Sequence, residues 1–550
     1  MTEPVVQDNL TAKQSDYAVF LPAISGFYAT FVGKQRDPVN GPYVDPARLP
    51  QGLTDMEQMN WLNSSKGLFP YKWSLYSGGH ANLDLTKPDW SEDMVRNRDP
   101  NTIMLGDSGG FQIAKGLWEG DWKANSGCPK AQKKRESVLT WLDTISNYGM
   151  GLDIPTWVVN DPHASSKCKI TTHAQAVAAT KFNNEYFIKH RRGKNNGGAK
   201  FLNVLQGATH SEAEDWYQEM KHFCDPAVYP DRHFDGWGMG GQNMCDVHLI
   251  LNRLVALRYD NLLQPGVHDW MHFLGTSKLE WAVLLTVIQR AVRKYVNPQF
   301  TISFDCASPF LATANGQVYF ENVYKHDSKW SYRMAPSADD KKYATDTRKW
   351  SDGVVADGIY NNWEDSPLSN LFKMKDICIY KPGVAKPGIT LTPENFQDPT
   401  LYDVLPDQNK NGKWGKTSWD SFSYALLMGH NVWMHLTAVQ EANRRFDTGS
   451  RPAMMQYSQG DYAKFEDIVD RIFSASTKED SLAEIEKYGG DTGYWTEIVG
   501  TRGAKGKKAV NARTQFNALF SFEEPKVDTE SEDSVQLDST ALDQLEQEQQ

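Results

Sequence analysis

Residues 270–306 read WMHFLGTSKLEWAVLLTVIQRAVRKYVNPQFTISFDC, two short apolar runs on either side of a helical pattern. In KLEWAVLLTVIQRAVRK (278–294) the apolar residues recur at roughly 3.6-residue spacing, the signature of one buried helix face. The flanking runs, WMHFLGT to Thr276 and FTISFDC to Cys306, have strand length and end in turn-forming or polar residues. Outward from this unit the rhythm repeats: TIML before Gly106, GLDIPTWVV from Gly151, KFLNVLQG to Gly207 and FDGWGMGG to Gly241. Helical patterns lie between several of them. SEAEDWYQEMKHF opens at Ser211 with a Glu three positions on, as a capping box does, and CDVHLILNRLVALR (245–258) carries another apolar stripe. Strands alternating with helices imply a parallel sheet. Over 550 residues, with polar side chains gathered at strand ends, the expected fold is α/β, a closed (β/α)8 barrel of TIM type. Its reactive groups would sit where strands end and βα loops begin.

Residues 1–325 are expected to form the main part of that barrel. Residues 326–420, rich in Asp, Lys, Pro and Asn, read as a large insertion. Residues 421–522 read as a helical C-terminal region that completes the fold, with helices over SFSYALLMGHNVWMHLTAVQEANRRF (421–446) and FEDIVDRIF (465–473). No internal repeat is evident. From 523 to 550 the composition turns acidic and Gln-rich and cannot bury a core, so disorder is expected. This tail holds ten carboxylates against Lys526, nine of the chain's eleven net negative charges, which leaves the body about −2. Electroneutrality of the body permits a nucleic-acid partner if positive charge is local, and basic clusters occur at Lys133–Arg135, Lys189–Lys200 and Arg502–Arg513. Heavy aromatic content (18 Trp, 23 Tyr, 24 Phe) fits a large core or surfaces that stack bases. The six cysteines form no CxxC pair, which argues against a disulfide framework or a structural metal site. MTEPVVQDNL lacks the apolar segment of a signal peptide, and no run of eighteen apolar residues offers a membrane span. The expected location is the cytoplasm, that of the host if the chain is phage-encoded.

Two aspartates each close an apolar run: Asp107 in GDSGGFQ and Asp305 in FDC. At the rim of a barrel, one carboxylate can attack a sugar's anomeric carbon while another handles protons. Either could instead simply cap the following helix. GDSGG also matches the nucleophile loop of chymotrypsin-like proteases, with Ser108 attacking. That reading needs an upstream histidine in an all-β, disulfide-stapled chain, whereas only His80 precedes and helical periods dominate. The glycines of GWGMGG (236–241) suggest a dinucleotide loop, but no acidic residue closes a following strand at the required distance.

Taken in order, these motifs resemble the tRNA-guanine transglycosylase family from about Leu105 to Gln317. GDSGGFQ (106–112) resembles its DSGGFQ loop, GLDIP (151–155) its base-reading aspartate segment and VLQG (204–207) its VQG strand end. GWGMGGQ (236–242), FLGTS (273–277), and FDC (304–306) followed by NGQ (315–317) are similar to three further family motifs. The resemblance implies the barrel fold and a set of roles. Asp305 would be the nucleophile that expels guanine and forms a covalent ester with the sugar. Asp107 would be the general acid/base. Asp153, Gln206 and the backbone at Gly240 and Gly241 would read the purine edge, with Ser108 at the same site. Phe111 and Leu274 would sandwich the ring. Base exchange needs no cofactor.

The family's CxCxxC zinc signature is missing, and His430 has no cysteine trio before it, with Cys378 alone upstream in that region. No zinc of that kind is expected, and the insertion would take the place of the zinc subdomain. Where tRNA-acting members carry arginines after FDC, this chain has ASPFLATANGQ. The chemistry thus looks like that of the family while the polymer differs. The chain is most similar to the divergent DpdA-type branch of phages and bacterial modification islands, which installs 7-deazaguanines in DNA. DNA, a 7-deazaguanine base such as the 7-cyano form, and helper proteins that open the duplex are the implied partners, with tRNA as the alternative. A non-catalytic nucleic-acid-binding subunit is a third reading, opposed by the presence of both aspartates.

Overall fold

A computed structural model describes residues 16–33, 49–338, 341–350, 366–378, 383–392, 398–404, 419–458 and 463–498, with isolated positions between them. The basic cluster Arg502–Arg513 and the acidic tail at 523–550 lie outside the described residues. Eight strands form one parallel sheet: β1 (Val19–Pro22), β2 (Trp73–Ser77), β3 (Ile103–Asp107), β4 (Tyr148–Met150), β5 (Lys200–Leu205), β6 (Gly236–Met239), β7 (Trp270–Phe273) and β8 (Thr301–Cys306). Each strand from β2 to β7 pairs with the next, β8 pairs with β1, and an isolated parallel bridge between Ala23 and Leu75 closes the ring. The fold is the TIM-type (β/α)8 barrel.

The helices that frame the barrel and the site are, in chain order, α1 (Gly26–Gly33), α2 (Gly110–Ala114), α3 (Pro129–Ile145), α4 (His173–His190), α5 (His210–Met220), α6 (Val247–Tyr259), α7 (Leu279–Tyr295) and α8 (Ser308–Ala314), with short helical segments at Asp93–Arg96, Pro162–Cys168 and Met374–Ile377 besides. Then come α9 (Ser421–Asp447), α10 (Phe465–Ser474) and α11 (Lys478–Glu486). Helix α7 is buried on nearly every side because α9 and α10 pack over the face turned away from the sheet. Its polar residues serve the strands beneath: Thr286 accepts from the Ala18 amide (2.9 Å) and Gln289 from the Ile302 amide (2.6 Å). Among the described residues no helix is long and apolar enough to cross a membrane.

Four local expectations are corrected. Strands β1 and β2 come from VFLP and WSLYS, which the recurring runs did not include. The fourth strand is Tyr148–Met150, ahead of GLDIPTWVV. There Asp153 N turns back to Gly151 O (3.1 Å) and Pro155 has no amide to give, so the chain leaves the sheet and closes in a short 310 turn at Thr156–Asn160. The N-cap of α5 is Thr209, whose side chain accepts from Glu212 N (3.1 Å), while Glu212 reaches back to Ala208 N (2.9 Å). The cap therefore lies two residues before Ser211, and the glutamate reaches the residue ahead of the N-cap and not the N-cap amide itself, so the full box does not form. Finally, the boundary at 325/326 falls inside an antiparallel hairpin of β9 (Gln317–Val323) and β10 (Ser331–Pro336), so the segment after β8 and the start of the insertion are one unit.

Two apolar clusters divide the molecule. The larger lies between sheet and helices. The smaller fills the barrel and includes Val19, Leu21, Leu75, Leu105, Met150, Leu202, Val204 and Trp270. Side chains on a strand alternate between faces, so these positions fix which parity points inward. At the N-terminal end the Trp270 ring lies 4.3 Å from Tyr148 and 5.5 Å from Trp73, an aromatic floor. The inward positions of β6, 236 and 238, are both glycine, as is residue 240 just past its end. A Cβ at Gly236 would lie 2.2 Å from the Trp270 carbonyl oxygen and 2.9 Å from Leu202. We expect Gly236→Ala to lower stability by about 1–3 kcal/mol, read from the urea midpoint, because the clash is with main chain. Gly193→Ala, with ordinary backbone and only Asn196 nearby at 3.9 Å, should stay within about 0.5 kcal/mol of the parent.

Candidate active site

One step further along the inward parity, past the apolar filling, come Ser77, Asp107, Gln206, Gly240, Leu274 and Asp305. All lie at the C-terminal ends of their strands, the end of a β/α barrel that carries reacting groups. The parity that buries Leu105 and Leu75 therefore delivers Asp107 and Ser77 to the mouth.

Asp305 keeps 14% of its side chain exposed. Its Oδ1 accepts two hydrogen bonds, from His272 Nε2 (3.0 Å) and from the Gly275 amide (2.9 Å). His272 is buried inside the barrel, and its other ring nitrogen meets Ser303 Oγ at 2.8 Å. Ser303 Oγ in turn accepts the Trp270 indole N–H at 2.6 Å.

Asp107 is half-buried across the mouth. Ser77 donates its hydroxyl to Asp107 Oδ2 (2.6 Å) and accepts the Gly79 amide (3.1 Å), so the serine proton has one direction to take. The Gly109 amide reaches Oδ1 at 3.3 Å. Burial raises the Asp107 carboxyl above the usual range, against these donors, and the nearby charge of Asp305 raises it further. The two acids thus feel one another across the opening.

Asp153 follows β4, is buried, and accepts Gln206 Nε2 at 2.8 Å. Burial pushes its carboxyl up to about 7, the Gln206 bond opposes this, and the charge of Asp107 adds to the rise. The loop after β6 wraps the same amide: a Cβ at Gly240 would meet Gln206 Nε2 at 2.7 Å, and one at Gly241 would meet Gly207 O at 2.6 Å. Gly241 has φ +58, in the left-handed region. Asp107, Asp153, Gln206, Gly240, Gly241 and Asp305 are therefore gathered at one end.

Ser108 is placed differently from the expected role. It is buried and spends its hydroxyl on the Gly151 carbonyl (3.0 Å), tying the loop after β3 to the end of β4. Phe111, in α2, leans on Trp157 with ring centroids 6.4 Å apart and carries Lys115 Nζ 5.5 Å from its face. Leu274 is half-buried at the rim of the interior cluster. His430 lies in α9, with Nδ1 at 2.9 Å from Ser366 Oγ and Nε2 at 3.1 Å from the Tyr319 carbonyl. Burial lowers its pKa to about 4, so the ring is neutral. Among the described residues no group of three or more His, Cys, Asp or Glu is placed to hold a metal ion.

The basic clusters divide. Arg135 is buried against Asn183 (2.7 Å) and Gln132 (2.7 Å), while Lys133 is exposed near the start of α3. Lys189–Lys200 joins the end of α4 to the start of β5, at the opposite end of the barrel from the acids. There Arg191 and Lys194 both pair with Asp235. Two contributors were not anticipated from the sequence, Ser77 and His272. Ser77 lay in an unrecognised strand. Counting alternate residues back from Leu274 would have shown His272 to point inward.

The arrangement offers a carboxyl group met by two N–H donors, a second whose pKa burial raises, and an acid–amide pair able to face fixed donors and acceptors. No protein-family model matches this chain, and no curated protein matches it. The raised Asp153 carboxyl has a stability consequence. Its proton is held more tightly in the folded chain than at the ordinary 3.8, so the folded state loses ground as pH climbs from about 4 to about 7. Asp153→Asn removes that loss and can still accept from Gln206. Its melting temperature should exceed the parent's at pH 8, with the gain vanishing toward pH 4; a pH-independent difference would contradict the assignment.

Proposed function

We propose that this chain exchanges guanine in DNA for a 7-deazaguanine, such as 7-cyano-7-deazaguanine, through a covalent aspartyl-sugar intermediate. The observation that supports this best is the placement of Asp305 and Asp107 at one barrel mouth in unlike environments, one met by two N–H donors, the other held by burial above the usual carboxylate range. That division of labour is what a two-carboxylate displacement at an anomeric carbon requires.

In the first step Asp305 forms a bond to C1′ as the C1′–N9 bond breaks and its electron pair leaves with guanine. Asp107 gives the departing base its proton. In the second step the incoming deazapurine gives a proton to Asp107 and attacks C1′, and the pair in the ester bond returns to Asp305. Asp153 and Gln206 lie beside Asp107, where a carboxyl and an amide can read the polar edge of a purine. The target nucleotide must leave the helix to reach them. The stretch after β8, which forms α8, carries no cation to hold a tRNA loop, and this favours DNA.

Incubation of the full chain with guanine-containing DNA, followed by denaturing quench and intact mass measurement, should give a protein–DNA adduct. Asp305→Asn should give none and lower exchange by at least about a thousandfold. Full exchange activity in that variant would end the assignment. Because Asp107 must begin protonated, adduct formation should slow as pH rises. Nucleoside mass spectrometry of DNA and tRNA from cells expressing the chain should find the 7-deazaguanosine in DNA; its appearance in tRNA alone would make tRNA the substrate.

A further inference from the structure

The buried series Trp270–Ser303–His272–Asp305 runs from the aromatic floor of the barrel to its mouth through three hydrogen bonds of 2.6, 2.8 and 3.0 Å. Its direction follows from donor chemistry. An indole nitrogen can only donate, so Ser303 Oγ accepts from Trp270. At the other end an ionised Asp305 can only accept, so the ring proton sits on Nε2; in the neutral ring Nδ1 is then bare, and Ser303 points its hydroxyl hydrogen at it. That proton points at Asp305 Oδ1, which also receives the Gly275 amide. Among the described residues no donor reaches Asp305 Oδ2. Trp270 cannot reverse the series, and its ring is wedged between Trp73 and Tyr148.

We propose that His272, held in its Nε2–H form by Ser303 and Trp270, is a positioning residue that clamps Asp305 Oδ1 and thereby assigns Oδ2 as the attacking atom. The inference rests on the base-exchange reading for its chemistry, but the clamp can be tested without it. In the forward step the Oδ2 lone pair forms the bond to C1′ while Oδ1 becomes the ester carbonyl oxygen, still facing two donors. In the return step the C1′–Oδ2 pair goes back to the carboxylate, and the same two N–H groups receive the charge that develops on Oδ1. Rotation of the carboxyl about its Cβ–Cγ bond would lose both bonds at once, so only one oxygen is presented.

Two measurements test this. In the full chain labelled with 15N-histidine, long-range 15N–1H spectra at neutral pH should contain one imidazole signal that is lost in His272→Gln. It should show a protonated Nε2 and a bare Nδ1. Ser303→Ala, which deletes a hydroxyl without filling the barrel, should shift the Nδ1 resonance. A His272 proton on Nδ1 in the parent would overturn the clamp whether or not base exchange occurs. In the exchange assay His272→Leu should lower kcat about a hundredfold with KM little changed, because orientation is lost and binding is not. His272→Gln, which returns an N–H at the same reach, should recover most of it. Parent-like kcat in His272→Leu would overturn the positioning role. Absence of exchange in the parent itself would remove the functional reading and leave the spectra to decide the clamp.

Discussion

Three carboxyl groups share the mouth of one barrel, and like charges confined together in a poorly hydrated space must each find donors or give up their charge. The chain uses a different answer for each. Asp305 is met by an imidazole and a main-chain amide, Asp107 by a serine hydroxyl and a longer amide contact, and Asp153 by one side-chain amide. Most of the mouth is built around these partners. Ser77 is fixed by Gly79, Gln206 is enclosed by the Gly240–Gly241 turn, and His272 is anchored through Ser303 to the floor. Identical functional groups thereby meet unlike surroundings within one opening.

The alternation of strand side chains makes this economical. The residues that fill the barrel and those that line its mouth are successive members of the same inward series, so packing and chemistry share one register. A one-residue slip in β8 would send Asp305 outward and bring Phe304 into the barrel. The pairing of Leu21 with Asp305 and of Ser77 with Asp107 is therefore a condition of the site as much as of the sheet.

Much of this was legible in the residues alone. Five of the eight strands announced themselves as apolar runs and a sixth lay just ahead of its run; helices α6, α7, α9 and α10 showed in their patterns, Asp107 and Asp305 by their places at run ends, and Asp153 and Gln206 by the motifs around them. The remainder was hidden for physical reasons. VFLP and WSLYS are too short to show a period, and what makes them strands is pairing with β8 and β3, distant in sequence. Ser77 and His272 belong to residue types common in ordinary surroundings, and only the closed barrel aims them at the acids. Ser108 sits in the most telling motif of the chain, yet its hydroxyl is occupied by a carbonyl 43 residues away. Local pattern speaks for elements; partners across the sheet decide which atoms are left to react.

The ring is not equally strong all round. Seven of its joints are ladders between named strands, while β1 and β2 meet at the lone bridge of Ala23 with Leu75. Beside that seam, the Tyr71 hydroxyl reaches across to the Phe20 carbonyl (2.5 Å). Asp305 stands on the strand beyond β1, and Asp107 on the strand beyond β2. The gap between the two acids is thus spanned by the weakest joint of the circle. Breathing of the barrel at this latch would spread or narrow the jaws while leaving every other ladder whole.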